Sequence, residues 1–261
     1  MAKAIVFPLV SKGFYEPGQV FGVVSSSASV ENIENQFPIG LKVAKVSDEN
    51  AKEVWNAPIN LLSVKPQQLE GVKEFLPAQK TRNFLSKPIL ISILAGVTLK
   101  RLSEMFPFHI CVRAVPNTPS LVGEGLTGLA WGEGISIEDQ QQVRDIFDPI
   151  SETFDLQEEH LDAFLALTSS GPAYIALIAE ALADGAVAAG LPRPTSSYLA
   201  HRTISGSASL LKEKKLSPAQ LKDMVASPAG TTIAALRHLE KAGVRSAFIE
   251  AVVLAAERSR Q

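Results

Sequence analysis

Asp162-Ala163-Phe164-Leu165-Ala166-Leu167-Thr168-Ser169-Ser170-Gly171-Pro172-Ala173-Tyr174 divides the chain into two kinds of sequence. Before it, short β-branched runs alternate with helical periodicities; after it, every segment reads as helix. Ser170 is placed to cap, Gly171 to tighten the turn and Pro172 to fill the first helical position, so a helix starts here on three agreeing signals. Its end is equally marked. Gly190 stands where a left-handed residue is wanted, and Pro192 and Pro194 block continuation. Between those ends only Glu180 and Asp184 are charged, while Ile175, Leu177, Ile178, Leu182 and Val187 point in several directions around the axis. Such a helix must be covered on most faces. Two acids and two glycines interrupt a run barely long enough to span a bilayer, which argues against a membrane helix. Only about seventy residues follow, so a second subunit is expected to supply the cover.

A chain of 261 residues can bury a large core, and the change of pattern near Glu158 predicts two domains, 1–157 and 158–261. The formal net charge of −2, with no Lys/Arg block and no acidic tail, excludes an electrostatic nucleic-acid binder. The single cysteine, Cys111, lies in the apolar run His109-Ile110-Cys111-Val112 and reads as a buried core thiol; the low thiol count suits a reducing cytoplasm. Met-Ala-Lys-Ala-Ile-Val-Phe-Pro-Leu-Val is too short for a signal peptide and lacks a cleavage site behind it, so a cytoplasmic protein is expected.

Ala2 to Lys12, followed by Gly13, reads as a helix with a C-cap, although Pro8 inside it removes a hydrogen bond and clashes one turn back, at a cost of about 3 kcal/mol. Strands are expected at Gln19–Val24, Leu41–Val46, Ile59–Val64, Pro88–Leu94 and His109–Val115, with helices between them, one of them capped by Thr98. This alternation predicts an α/β fold with a doubly wound parallel sheet, whose ligands sit at the carboxyl ends of strands. Leu126–Trp131 reads as an edge strand, Ser136 opens a capping box, and Ser151–Leu156 closes the sheet. Helices are expected at roughly 158–168, 172–189, 195–212, 218–226, 231–241 and 245–259, with a second capping box at Ser217-Pro218-Ala219-Gln220.

Gly123-Glu124-Gly125-Leu126-Thr127-Gly128 matches the GxGxxG pattern, yet its sequel Leu129-Ala130-Trp131-Gly132 is extended and no helix follows to face a pyrophosphate. It is read as a decoy. Ser227-Pro228-Ala229-Gly230-Thr231-Thr232-Ile233 is the more chemical stretch. Amides opening a helix at Thr231 can hold a carboxylate, and a threonine hydroxyl both donates and accepts; the bland alternative is that Thr231 is only an N-cap. His109, His160, His201 and His238 show no metal-ligand spacing, so no metal is expected, and Glu180 and Asp184 read as partners for Arg or helix termini.

The chain resembles the pyrroline-5-carboxylate reductases along nearly its full length. The resemblance rests on Val64-Lys65-Pro66-Gln67, Ala95-Gly96-Val97-Thr98, Val112-Arg113-Ala114-Val115-Pro116-Asn117-Thr118-Pro119 with Val122-Gly123-Glu124-Gly125, Ser170-Gly171-Pro172-Ala173-Tyr174, Glu180-Ala181-Leu182-Ala183-Asp184-Gly185, Gly190-Leu191-Pro192-Arg193, and Ser227 to Thr232. It implies a Rossmann-like NAD(P) domain followed by an all-helical domain that interlocks two protomers. It also implies hydride transfer from a nicotinamide to C5 of the cyclic imine 1-pyrroline-5-carboxylate, giving L-proline. Carried over, Thr232 is the hydroxyl that meets the imine nitrogen, and the amides of Gly230, Thr231 and Thr232 hold the carboxylate. Asn50, Val64, Lys65, Pro66, Ala95, Gly96, Asn117 and Thr118 fall around the cofactor. In the dimer the Thr232 stretch is expected to meet the cofactor of the other protomer, and rings of dimers are open.

The departures matter too. The strand and glycine turn that open the family's Rossmann unit find no counterpart before the first helix, since Met1-Ala2 aligns just after that turn. The sheet is therefore expected to lack its first strand, and these residues alone to bind nucleotide poorly. Ser169 and Ala229 each stand where the family has Gly. At the end of the first visible strand, Ser25-Ser26-Ser27 replaces the acid that holds a ribose 2′-hydroxyl, so NADPH is expected over NADH, Ser25 and Ser26 accepting the 2′-phosphate. A folded homologue too weak in cofactor binding to turn over is the alternative, and a different NADP-dependent reductase on the same fold is a third.

Overall fold

A computed structural model describes residues 1–37, 40–76 and 87–260. Its contacts divide the chain into one unit of Met1–Ser169 with Glu257–Gln261 and a second of Ser170–Ala256. The first unit opens with α1 (Ala2–Ser11), β1 (Phe21–Val24), α2 (Ser27–Gln36) and β2 (Lys42–Lys45). It continues through β3 (Ile59–Leu62), α3 (Leu69–Glu74), β4 (Ile89–Ser92), α4 (Leu99–Met105) and β5 (Ile110–Pro116), and closes with β6 (Gly125–Trp131), α5 (Ile137–Phe147), β7 (Ser151–Asp155) and α6 (Leu161–Thr168).

Two ladders form. β1 pairs with β2 in parallel, and a five-stranded sheet runs in the order β3-β4-β5-β6-β7. The first three of those strands are parallel, as expected, and β6 runs antiparallel to β5. The cause is the connection: the few residues from Asn117 to Glu124 are too short for a helical crossover, so the chain folds back beside its own strand. β6 is also not an edge strand, because β7 pairs with its other side and takes the edge itself. Among the described residues no ladder joins β1 to β3.

Burial on both faces explains the strands. Ile89 and Ile91 of β4 join Val112, Ala114 and Leu129 under Ile5 and Leu9 of α1 and Val143, Ile146 and Phe147 of α5. The alternate residues, Leu90 and Cys111, pack on the opposite face with Trp55, Leu62, Leu69, Leu102 and Phe106. A period of two thus sends an unbroken apolar run to two cores. Pro8 is accommodated inside α1, which ends in a left-handed Gly13.

The second unit holds α7 (Gly171–Ala188), α8 (Arg193–Lys214), α9 (Pro218–Val225), α10 (Thr231–Lys241) and most of α11 (Val244–Ser259). Gly190 takes the left-handed conformation expected of it, and the Ser217 box caps α9 with both reciprocal bonds. Ser170 does not cap: its backbone is already helical and its side chain accepts no cap bond. By its contacts the first unit runs on to Ser169, because Leu161, Phe164 and Leu165 of α6 pack on Val115 and Ala130 of the sheet. On α7 only Ala179 and Ala183 are buried, while Leu177 and Leu182 are 63% and 48% exposed. The run Glu158–Ala188 is long and apolar enough to cross a membrane, and 17% of its window is buried within the chain.

Candidate active site

The cofactor-type residues lie where parallel strands end. Ser25 and Ser26 follow β1, and Ser26 caps α2, accepting from the Ser29 amide at 3.2 Å. Asn50 sits in the 3-10 helix Glu49–Asn56 after β2; Val64, Lys65 and Pro66 follow β3; Ala95 and Gly96 follow β4; Asn117 and Thr118 follow β5. The Ala95-Gly96 tip is exposed between the buried anchors Leu94 and Val97. Gly96 has φ +71°, and a Cβ there would meet only the Ser259 carbonyl, at 3.6 Å. A bare backbone tip in a left-handed turn is what a flat ring needs for close approach. These residues therefore fit the two ends of a nicotinamide dinucleotide. Among the described residues no glycine turn opening a helix is present to take its pyrophosphate.

Gly123–Gly128 does not supply one. Gly123 caps a 3-10 turn at φ 80°, and the strand β6 follows directly. Its glycines answer to packing: a Cβ on Gly125 would fall 2.2 Å from Ser120 Oγ, and one on Gly128 would fall 2.9 Å from the Phe164 ring.

Asn117 is 3% exposed, and its side chain is hydrogen-bonded at both its oxygen and its nitrogen. It donates to the Thr168 carbonyl at 3.0 Å and accepts from the Leu126 amide at 2.9 Å, tying β5 to β6 and α6. Sequence reasoning missed a neighbouring triad. Glu158 Oε1 accepts from Arg113 Nη1 at 2.8 Å and from the Leu99 amide at 2.6 Å. The signal was present: an arginine inside the apolar strand Cys111-Val112-Arg113-Ala114-Val115 must have a counter-charge. Close by, the Ser259 hydroxyl donates to Asp162 at 2.7 Å and holds the last turn of α11 on the first unit. Burial pushes the Cys111 thiol up to about 11, against a smaller opposing pull from Lys87, so it is inert.

The substrate-type residues belong to the second unit. After α9 the chain turns on Ser227, whose carbonyl accepts from the Gly230 amide at 3.0 Å, and Ala229 takes φ 56°. Gly230, not Thr231, is the N-cap of α10, which removes the bland reading of Thr231. Gly230 brings no side-chain acceptor to the first-turn amides, so the helix opens on amide donors in a left-handed turn, with Thr232 half-buried beside them. That arrangement can hold an anion by geometry and by dipole. A Cβ on Gly230 would lie 2.3 Å from Ser227 Oγ, so a side chain there would displace the serine hydroxyl.

Comparison with known proteins accounts for both units. A family model described as pyrroline-5-carboxylate reductase dimerisation matches residues 158–261. Pyrroline-5-carboxylate reductase of Synechocystis sp. is 40% identical over 261 residues, covering 100% of this chain and 94% of that protein. The chain belongs to the pyrroline-5-carboxylate reductase family. Among solved members, the Streptococcus pyogenes reductase superposes with a TM-score of 0.84 at 30% identity, covering 100% of this chain and 94% of that one. The Plasmodium falciparum reductase, solved with NADP bound, gives 0.83 at 28% identity, covering 99% and 92%. A nicotinamide cofactor thus goes with the reductase fold seen here. The dimerisation match covers the helices whose apolar side chains stand exposed.

Proposed function

We propose that the chain reduces 1-pyrroline-5-carboxylate to L-proline with NADPH, as a homodimer built by α7, α8 and α11. The observation that carries the substrate assignment is the opening of α10: amides with no side-chain cap, beside a threonine hydroxyl, in a chain that aligns end to end with reductases of this imine. The amides of Gly230, Thr231 and Thr232 bind the ring carboxylate. The Thr232 hydroxyl meets the ring nitrogen, fixing which carbon is presented. Thr232 need not transfer a proton, because the imine nitrogen can arrive protonated, and orientation at near-attack distance accounts for most of the rate. When bound, the cofactor supplies the hydride that C5 receives. Ser25 and Ser26 would hold the 2′-phosphate, Asn50 with Val64, Lys65 and Pro66 the adenosine side, and Ala95, Gly96, Asn117 and Thr118 the nicotinamide side.

Steady-state kinetics with the imine and both cofactors test this. A higher kcat/KM with NADPH is expected; a clear preference for NADH contradicts the cofactor assignment, and activity on a hydroxy acid alone contradicts the substrate. A second reading is a folded homologue that binds nucleotide too weakly to turn over. Calorimetric titration with NADPH separates the two: saturable binding supports the reductase, and none supports the weak homologue.

A further inference from the structure

We propose that Glu158 is a positioning residue for the Ala95-Gly96 turn, acting through the amide of Leu99 with Arg113 as its counter-charge. The proposal rests on the reading that this turn lines the nicotinamide site. The turn has apolar anchors at Leu94 and Val97, but its exit into α4 exposes the amides that begin every helix. Thr98 satisfies one, accepting from the Arg101 amide at 3.2 Å. Glu158 satisfies the first of them, at Leu99, only three residues past Gly96.

Nothing local provides this contact. Glu158 lies 59 residues from Leu99, and its second partner, Arg113, rises from β5 opposite Ser92 of β4. The same oxygen takes both bonds, so one carboxylate links β5 to the entry of α4. Arg113 is 7% exposed and Glu158 is 32% exposed. A buried guanidinium holds its carboxylate closely, because separating them leaves a charge unpaired in low dielectric. The Leu99 side chain completes the linkage, packing against the cluster of Val97 and Leu94 and against that of Val115 and Leu161. A carboxylate needed only to neutralise Arg113 would have no reason to make its shortest bond to Leu99.

Four variants separate positioning from plain stability. Glu158→Gln with Arg113→Met removes both charges and keeps an acceptor for Leu99; Glu158→Ala with Arg113→Met removes the acceptor as well. Glu158→Asp keeps the charge for Arg113 and withdraws the oxygen by one methylene; the single Glu158→Gln keeps oxygen and arginine. Amide exchange over residues 94–101 of the nucleotide-free protein is measured by mass spectrometry, together with the KM for NADPH, kcat and Tm. Loss of one charge-assisted bond predicts about tenfold faster exchange there and about tenfold higher KM, with kcat within about threefold, in Glu158→Asp and in the Ala double. The Gln double should recover most of both changes. Equal exchange and equal KM in the two doubles, with only Tm lowered, would overturn the proposal, as would an unchanged turn in Glu158→Asp. If the unaltered chain binds no NADPH, the functional reading fails, and the exchange comparison still decides whether Glu158 fixes the turn.

Discussion

Ala229→Gly should stabilise this protein, against the usual direction of an alanine-to-glycine change. Ala229 has φ 56°, one of two non-glycine residues with positive φ among those described. A residue with a Cβ is strained there by about 1–2 kcal/mol, and glycine relieves that strain. Glycine also gains freedom in the unfolded chain, which costs roughly 0.5–1 kcal/mol. The difference is a net gain of about 0.5–1 kcal/mol, or roughly 2 °C in Tm for a chain of this size. The turn already has the conformation glycine prefers, so the Gly230 and Thr232 amides stay in place and the KM for the imine should change by less than about twofold. Gly230→Ala is the matched opposite: its Cβ would lie 2.3 Å from Ser227 Oγ and 3.1 Å from the Ser227 carbonyl, so the serine side chain must rotate and the turn shift by a few tenths of an ångström, which should raise the KM for the imine. Differential scanning calorimetry and imine kinetics on both variants make the test. A fall in Tm for Ala229→Gly, or an unchanged KM for Gly230→Ala, would refute the reasoning that this turn's backbone sets the substrate amides.

Replacing Leu182, 48% exposed in the isolated chain, by Asp should shift sedimentation from dimer to monomer and lower Tm, because the charge would enter a covered interface without a partner; a well-folded dimer of the variant would place the interface elsewhere. Thr232→Val keeps the shape and removes the hydroxyl, so kcat/KM for the imine should fall roughly tenfold with Tm nearly unchanged; full activity would remove Thr232 from the site. The Arg144–Asp155 pair predicts a pH dependence: its hydrogen bond to Arg144 holds Asp155 below its ordinary value of 3.8. A lowered carboxylate contributes stability above that ordinary value and loses it as pH falls through the folded one. Asp155 is 51% exposed, so the contribution is screened and small, under about 1 kcal/mol. The Tm difference between the unaltered chain and Arg144→Met should therefore be present at neutral pH and shrink below about pH 4; a difference that grows in acid would contradict the pair's sign.

Much of the architecture was legible because it depends on neighbours in sequence. The period of two in Ile89–Ser92 and Ile110–Pro116, the proline and glycine signals around α7, and the Ser217 box are local, and the structure reproduces them within a few residues. The GxGxxG decoy was also decided locally, since whatever follows Gly128 must be extended. Tertiary structure alone settled the rest. That β6 runs antiparallel and lies inside the sheet depends on which strand offers it an edge. That α6 belongs with the sheet depends on Leu161 and Phe164 finding Val115 and Gly128. The bond from the Asn117 amide to the Thr168 carbonyl, 51 residues away, is of the same kind. The Arg113–Glu158–Leu99 link joins three segments that no periodicity connects. Composition can announce that a buried arginine needs an acid; only the folded chain, by closing loops of 45 and 59 residues, chooses Glu158 from the many acids available and sets it against the helix that leaves the Gly96 turn.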